Sequence, residues 1–399
     1  MSARFAIEAL TKAHQRKTFS CGNERIDRYF RETVTQDVKR RYATCFVARD
    51  LETDRIAGFY TLSSSNVPLT AVPEPLASRL PRYPTVPAVL IGWLGRDQSY
   101  AGLGLGEALL FDASGAVLDK ESLPHTQHYP RPGWVEHDAE QIYANTLHTI
   151  RTLIARNAAL RDDLLHLSIT NQRETIVVFE RATGRPLYPA IVWQCRRGDA
   201  LCAELIAQGH GDFVQQRTGL KIDTYFPASK LAWLFKHEPG IRRRVESGEA
   251  LIGTIDSYLI YRLTSGAVFA TDHTNASRTL LFNINTLDWD ADLCALFEVP
   301  IGALPEARES SASFGETTCE GALDYALPIA GVMGDSQAAL FAERCYRPGL
   351  AKVTFGTGSS VLLNIGAEPR LSSRGIVTTI GWVLRGQPTY AFEGIINFT

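Results

Sequence analysis

Pro328-Ile-Ala-Gly-Val-Met-Gly-Asp335-Ser336-Gln-Ala-Ala-Leu-Phe341 opens as an apolar, strand-forming run and closes as a helix former, with Gly334 and Asp335 at the change. A strand that ends on a carboxylate just where a helix begins belongs to α/β architecture. Asp335 has two readings. Aspartate is a favoured helix cap, and it can also act as a general base, taking the proton of a hydroxyl whose oxygen attacks phosphorus.

Strands and helices alternate outward from this stretch. On the N-terminal side, Asp138 should cap a helix with an apolar stripe of Ile142, Leu147, Ile150 and Ile154. Residues 164–171, 174–181 and 190–193 read as strands, and alternation continues through 251–264. Asn171-Gln172-Arg173-Glu174 sits at a strand-to-strand junction. A guanidinium beside a carboxylate offers donors and acceptors that match vicinal hydroxyls, although a surface ion pair explains the tetrad equally well. Trp193 and Tyr225-Phe226 are core aromatics or the flat walls of a small pocket. On the C-terminal side, Gly356-Thr357-Gly358 lies between two strand-like runs. It is turn chemistry, or a set of N–H groups and a hydroxyl for a nucleotide phosphate.

The strings PRPGWVEHD (130–138), ITNQRET (169–175), AIVWQCRR (190–197), TGLKIDTYF (218–226), TDHTNASRTLLFNINTLDWD (271–290), GDSQAALF (334–341) and TFGTGSS (354–360) together resemble the FGGY family of carbohydrate kinases, and within it the glycerol kinases. The resemblance covers residues 113–399 and implies an actin-like ATPase fold with a ribonuclease-H-like first domain. It also implies ATP with magnesium as phosphoryl donor and a small polyol, glycerol, as partner. Arg173, Glu174, Tyr225, Asp335 and Ser336 would contact the polyol, and Trp193 would shape the pocket. Asp335 would be the catalytic base, and Gly356, Thr357 and Gly358 would meet the ATP phosphates. Ser336 stands where many glycerol kinases have Gln, and Ser360 where many have an aromatic, which opens the pocket to a related polyol. The family's opening Asp-x-Gly-Thr-Thr phosphate loop has no counterpart here, and the sequence stops in the apolar run after Glu393. The expectation is a kinase truncated at both ends, with catalysis impaired and polyol contacts retained.

Residues 1–112 differ in character. A helical pattern of Ile26, Tyr29, Phe30, Val34 and Val38 precedes strand-like runs at 44–50, 55–67 and 86–95. The third leads into Gly102-Leu-Gly104-Leu-Gly106, after which GEALLFDA has helical composition. A glycine turn before a helix can hold a pyrophosphate on free N–H groups, and a tight turn needing positive φ explains it as often. FSCGNERIDRYF (19–30), QDVKRRYATCFVA (36–48), RIAGFYTLSS (55–64), PRYPTVPAVLIG (81–92) and GLGLGEALLFDA (102–113) together resemble the toxin branch of GNAT acetyltransferases. That likeness implies acetyl-CoA at Gly102, Gly104 and Gly106, in a vestigial site, because the match stops inside the pyrophosphate helix.

The expected fold class is therefore α/β: a partial GNAT fold (1–112), an FGGY kinase N-terminal domain lacking its first strand and phosphate loop (113–344), and the start of its C-terminal domain (345–399). Alternatives to a kinase are an acetyl-CoA-dependent toxin fragment acting on aminoacyl-tRNA, and a non-catalytic polyol-binding remnant or misassembled chimera. Composition fits a globular enzyme: 399 residues, 45% hydrophobic and 21% charged, net charge −2. That balance gives no reason to expect nucleic acid or an anionic membrane as partner. The start lacks a signal-peptide pattern, no apolar run is long enough to span a bilayer, and seven cysteines without a CxxC pair read as free thiols. Cytoplasmic location follows as the expectation, with no metal site of the chain's own and homo-oligomerisation left open.

Overall fold

The structure of the protein, a computed structural model, describes residues 5–21, 24–40, 42–51, 53–68, 85–96, 105–112, 115–355, 358–372 and 375–397. The chain divides into two compact units. One comprises residues 1–103 with 354–360 and 395–399, and the other residues 104–353 with 361–394.

The first unit is built on an antiparallel sheet in the order Phe5–Ala9, Thr44–Asp50, Ile56–Pro68, Thr85–Arg96. Between the first two strands run the helices Glu24–Arg28 and Val34–Lys39, joined by one π turn at Tyr29–Thr33. The three- and four-residue spacing predicts the face that is buried: Ile26, Tyr29, Phe30 and Val34 pack on Val47 and Phe59. Phe30 stacks on Phe59 with ring centroids 3.8 Å apart, and Phe19 meets both rings edge-on.

One expectation fails at the junction. Residues 106–113 were expected to be helical, but Leu105–Phe111 is a strand, paired antiparallel with Val117–Pro124. An apolar run this short does not distinguish strand from helix by periodicity, and the turn decides. Asp112 Oδ1 accepts from the Ala116 amide at 2.9 Å, and Gly115 takes φ +84°, closing a hairpin.

In the second unit a five-stranded sheet runs Ala250–Thr254, Ile176–Glu180, Ala190–Ile191, Glu136–His137, Gln127–His128. The strand Ile176–Glu180 shows the period of two. Ile176 and Val178 enter one core with Ile252, Leu231 and Phe235, while Val177 and Phe179 enter another with Leu251 and Tyr258. Both faces are covered, so the strand reads as one apolar run. The helix Ala139–Arg156 packs in the second core and is capped by Asp138, which accepts from the amides of Glu140 and Gln141.

The pairing that positions the chemistry is parallel. Leu327–Gly334 lies beside Leu167–Asn171 with Gly334 opposite Asn171, so both strands end at the same level. A further sheet, in the order Ala351–Phe355, Gly358–Gly366, Gln387–Asn397, Val377–Leu384, places Glu393 opposite Val377. All seven cysteines are free, as expected, and six of them are buried.

Candidate active site

Because the two parallel strands end together, residues about 160 positions apart in the chain arrive at one place. The turn after Asn171 delivers Arg173 and Glu174, and the start of the helix Asp335–Ala342 delivers Asp335. Arg173 Nε sits 3.1 Å from Asp335 Oδ1 and 3.7 Å from Glu174 Oε1. This Nε is buried and makes no aligned hydrogen bond among the described residues. Asp335 has 55% of its side chain exposed, whereas Arg173 has 4%. The cluster thus has one accessible carboxylate and a buried cation behind it.

The capping role open to Asp335 is not taken. Gly334 occupies the cap position, Asp335 is the first helical residue, and its side chain makes no cap bond to the helix beyond accepting the Ser336 amide at 2.7 Å. Gly334 is required by closeness of approach rather than by φ, which is −61°. A Cβ there would lie 2.7 Å from Arg173 Cδ and 2.8 Å from Cγ. Glu174 adopts φ +61°, the left-handed region that disfavours any side chain. Strain of this kind costs about 1–3 kcal/mol and persists where surroundings over-determine it.

The surroundings are two residues that had no assigned role in the sequence reading, Arg278 and Glu393. Glu393 accepts from Arg173 Nη2 at 2.8 Å on Oε1 and pairs with Arg278 Nη1 at 2.6 Å through Oε2. Arg278 Nε in turn donates to Glu174 Oε1 at 2.7 Å. Arg173, Glu393, Arg278 and Glu174 form a closed ring of alternating charge, each at least nine-tenths buried. The carboxyl groups respond differently. Burial opposes ionisation of Glu393, but the two guanidiniums and Lys352 overcome it and hold its pKa down at about 2. At Glu174, burial dominates over Arg173 and Arg278 and raises the pKa above the usual carboxylate range. Lys352, also buried, faces the cluster with its pKa lowered by burial and by Arg173.

Beneath the strand ends lies a satisfied polar layer. Asn171 and Asn275 exchange two amide bonds at 3.0 Å, and Thr274 Oγ1 accepts from the Gly334 amide at 2.9 Å. Burial raises the Asp256 pKa to about 6, while Thr254 and Thr271 each donate to it at 2.6 Å. This layer fixes Gly334, and through it Asp335, to the helix His273–Ala276.

The two aromatics singled out in the sequence lie side by side. Trp193 and Tyr225 are half-buried with ring centroids 5.1 Å apart, and the Arg278 guanidinium lies 5.9 Å from the Tyr225 ring. The Tyr225 loop is held by Lys230, fully buried, whose Nζ donates to the carbonyls of Thr224, Tyr225 and Phe226. Ser336 is buried at the base of Asp335. Gly356 and Thr357 fall outside the described residues, and Gly358 begins a strand. Gly102 and Gly104 also fall outside them. Gly106 lies within the strand Leu105–Phe111, opposite Leu123, so no helix start stands behind it to receive a pyrophosphate.

The N-terminal domain profile of the FGGY family of carbohydrate kinases matches residues 102–342, and the chain belongs to that family. Its relatives include the glycerol kinase of Bordetella parapertussis, 48% identical over 297 residues that cover 73% of this chain and 58% of that protein. Glycerol kinase 1 of Thermotoga maritima is 45% identical over 304 residues, 76% of this chain and 61% of that one. Among solved structures, Plasmodium falciparum glycerol kinase with ADP superposes with a TM-score of 0.69 at 37% identity, covering 73% of this chain and 58% of that one. The chain spans somewhat over half the length of the curated relatives it matches. Among the described residues no helix is long and apolar enough to cross a membrane.

Proposed function

We propose that the second unit serves glycerol phosphorylation: ATP and glycerol give ADP and glycerol 3-phosphate, with Asp335 as the general base. The observation that carries this reading is the convergence of Arg173 and Glu174 on Asp335 from two distant strand ends. In the proposed step Asp335 accepts the proton of a terminal hydroxyl as that oxygen bonds to the γ-phosphorus, and the bond to the ADP oxygen breaks. Arg173 and Glu174 supply a donor and an acceptor for the remaining hydroxyls. Trp193 and Tyr225 cover the carbons, and Ser336 borders the base. Gly356, Thr357 and Gly358 are the proposed ATP phosphate turn. Among the described residues no group of three or more His, Cys, Asp or Glu side chains is placed to hold a metal ion. Magnesium would arrive on the ATP phosphates, which supply most of its oxygens. The identity to glycerol kinases supports glycerol over other polyols.

The domain limits 113–344 and 345–399, and cytoplasmic location, belong to the same proposal. For residues 1–112 an acetyltransferase-like fragment is a second reading. The antiparallel four-stranded sheet with two helices between its first strands supports it. Three measurements on the full chain separate the readings: glycerol binding, glycerol-dependent ADP release in magnesium-ATP, and acetyl-CoA binding. The kinase reading expects the first and, at the impaired rate expected of this chain, the second. A binding remnant gives the first alone, and an acetyltransferase fragment the third. Absence of both glycerol binding and ADP release would refute the kinase reading.

A further inference from the structure

We propose that Glu393 is a positioning residue: by bridging the Arg173 and Arg278 guanidiniums it fixes where Arg173 meets Asp335 and where Arg278 meets Glu174. The inference rests on the polyol reading of this site and goes beyond it, because it names what aims the ligands. Glu393 itself is fully buried, and both its oxygens are taken up by the two arginines. Its Oε1 accepts from Arg173 Nη2 at 2.8 Å, and its Oε2 is shared between Arg278 Nη1 at 2.6 Å and Arg173 Nη1 at 3.3 Å. Arg173 spends Nη1 on Gln337 Oε1 at 3.1 Å and both terminal nitrogens on Glu393, leaving Nε beside Asp335 and Glu174 at 3.1 and 3.7 Å. Arg278 Nη1 meets Glu393 as a charge contact at 2.6 Å without an aligned hydrogen bond, and its Nε donates to Glu174 at 2.7 Å. The planar fork of a guanidinium has fixed donor directions, so the carboxylate that holds one edge determines where the other edge points.

The charge arithmetic agrees. Two guanidiniums and two carboxylates in a ring without solvent balance, and replacing Glu393 by a neutral group leaves an unpaired buried cation. Freed at their terminal nitrogens, Arg173 and Arg278 would then share the remaining carboxylates, Glu174 and Asp335, and the Arg173 fork would lose the direction that sets its Nε 3.1 Å from Asp335. Glu174 is faced by Arg173 on its own turn, Arg278 after the helix His273–Ala276, and Glu393 on the strand Gln387–Asn397. Tyr225 and Lys230 face it from the segment around the start of the helix Pro227–His237. The negative charge of Glu393 is among the influences that raise the Glu174 pKa. Removing it lowers that pKa, and so does freeing the arginines.

The test is the glycerol dissociation constant of the full chain from pH 4 to pH 8, for the wild type, Glu393→Gln and Glu393→Asp. At neutral pH Glu393→Gln is expected to weaken glycerol by on the order of 10- to 100-fold. Its loss of affinity on the acid side, where Glu174 takes up a proton, should move to lower pH. Glu393→Asp keeps the charge and should keep the wild-type acid limb, with an intermediate affinity because its reach is one methylene shorter. A purely structural role would lower the thermal midpoint of Glu393→Gln and leave the acid limb in place, and that result overturns the proposal. So does unchanged affinity in Glu393→Gln. If Glu393→Gln does not fold, an acid limb shifted in Glu393→Asp as far as its affinity is lost counts against it. A wild-type chain that binds no glycerol at any pH refutes the polyol reading itself, a result distinct from the others.

Discussion

Replacing Gly334 by Ala adds one methyl group at the tightest contact of the cluster. The new Cβ would stand 2.7 Å from Arg173 Cδ and 2.8 Å from Cγ, where carbon atoms pack at about 3.5–4.0 Å. The arginine stem must retreat by roughly 1 Å to restore that spacing. Its head is tied to Glu393 and Gln337 at 2.8 and 3.1 Å, so retreat breaks or stretches those bonds and draws Nε away from Asp335. The backbone does not object, since φ −61° and ψ 144° suit alanine. Gly→Ala at a permissive site stabilises by about 0.4–1 kcal/mol through the unfolded chain, while overpacking costs about 1–3 kcal/mol. The expected net is a loss of about 1–2 kcal/mol. Glycerol affinity should fall more sharply, by about 10- to 100-fold, as charge-assisted bonds to the ligand are misaligned. Urea denaturation and a glycerol titration on the same preparation measure both. A variant as stable as the wild type with unchanged affinity would show that Arg173 does not depend on the absent side chain, and the assignment would fall.

Lys230→Met should destabilise the protein by about 2–4 kcal/mol, because the carbonyls of Thr224, Tyr225 and Phe226 lose their common donor in a buried site. The urea midpoint measures it, and a shift within error would show that the loop closes without the ammonium. Asp335→Asn should change the melting temperature little, since the side chain is half-exposed, its amide oxygen can still accept from Ser336 and Arg173 keeps Glu393, yet lower the glycerol-dependent ADP release the chain shows by about 10²–10⁴-fold. Normal release with Asn would reduce Asp335 to a structural residue. Glu393 has a folded-state pKa depressed to about 2 from the reference 4.5, so its stabilisation is present above pH 4.5 and drains away as pH falls toward 2. Linkage puts the loss between pH 5 and pH 3 at about 2 kcal/mol. In Glu393→Gln the decline in unfolding free energy over that interval should be smaller by this amount, and equal slopes would contradict the charge ring.

The architecture was legible where local pattern and tertiary outcome agree. The apolar run before Asp335, the Asp138 cap and the strand Thr44–Asp50 all appear where the spacing places them. The segment 105–111 was not legible, because Ala-Leu-Leu-Phe suits either conformation and pairing with Val117–Pro124 settles the matter. Arg173, Glu174 and Asp335 were singled out as chemistry-bearing residues, and the parallel pairing of their strands brings them together. Arg278 and Glu393 escaped notice because their partners lie far along the chain: Glu393 meets an arginine 220 positions earlier. A signal was nevertheless present. Glu393 is the lone charge in Tyr390-Ala-Phe-Glu-Gly-Ile-Ile396, and a glutamate inside a covered strand is almost never left unpaired. Lys230 carried a weaker signal, an ammonium on the apolar face of an amphipathic helix.

Titration calorimetry of glycerol into the full chain and into Arg173→Ala and Arg173→Lys bears most directly on the polyol site. The wild type should give saturable binding, which Arg173→Ala weakens by about 10- to 150-fold, the loss of one charge-assisted hydrogen-bonding group. Arg173→Lys retains the charge but not the fork and should fall between them. No saturable binding in the wild type, or equal affinity in folded Arg173→Ala, would contradict the assignment of this cluster to a polyol.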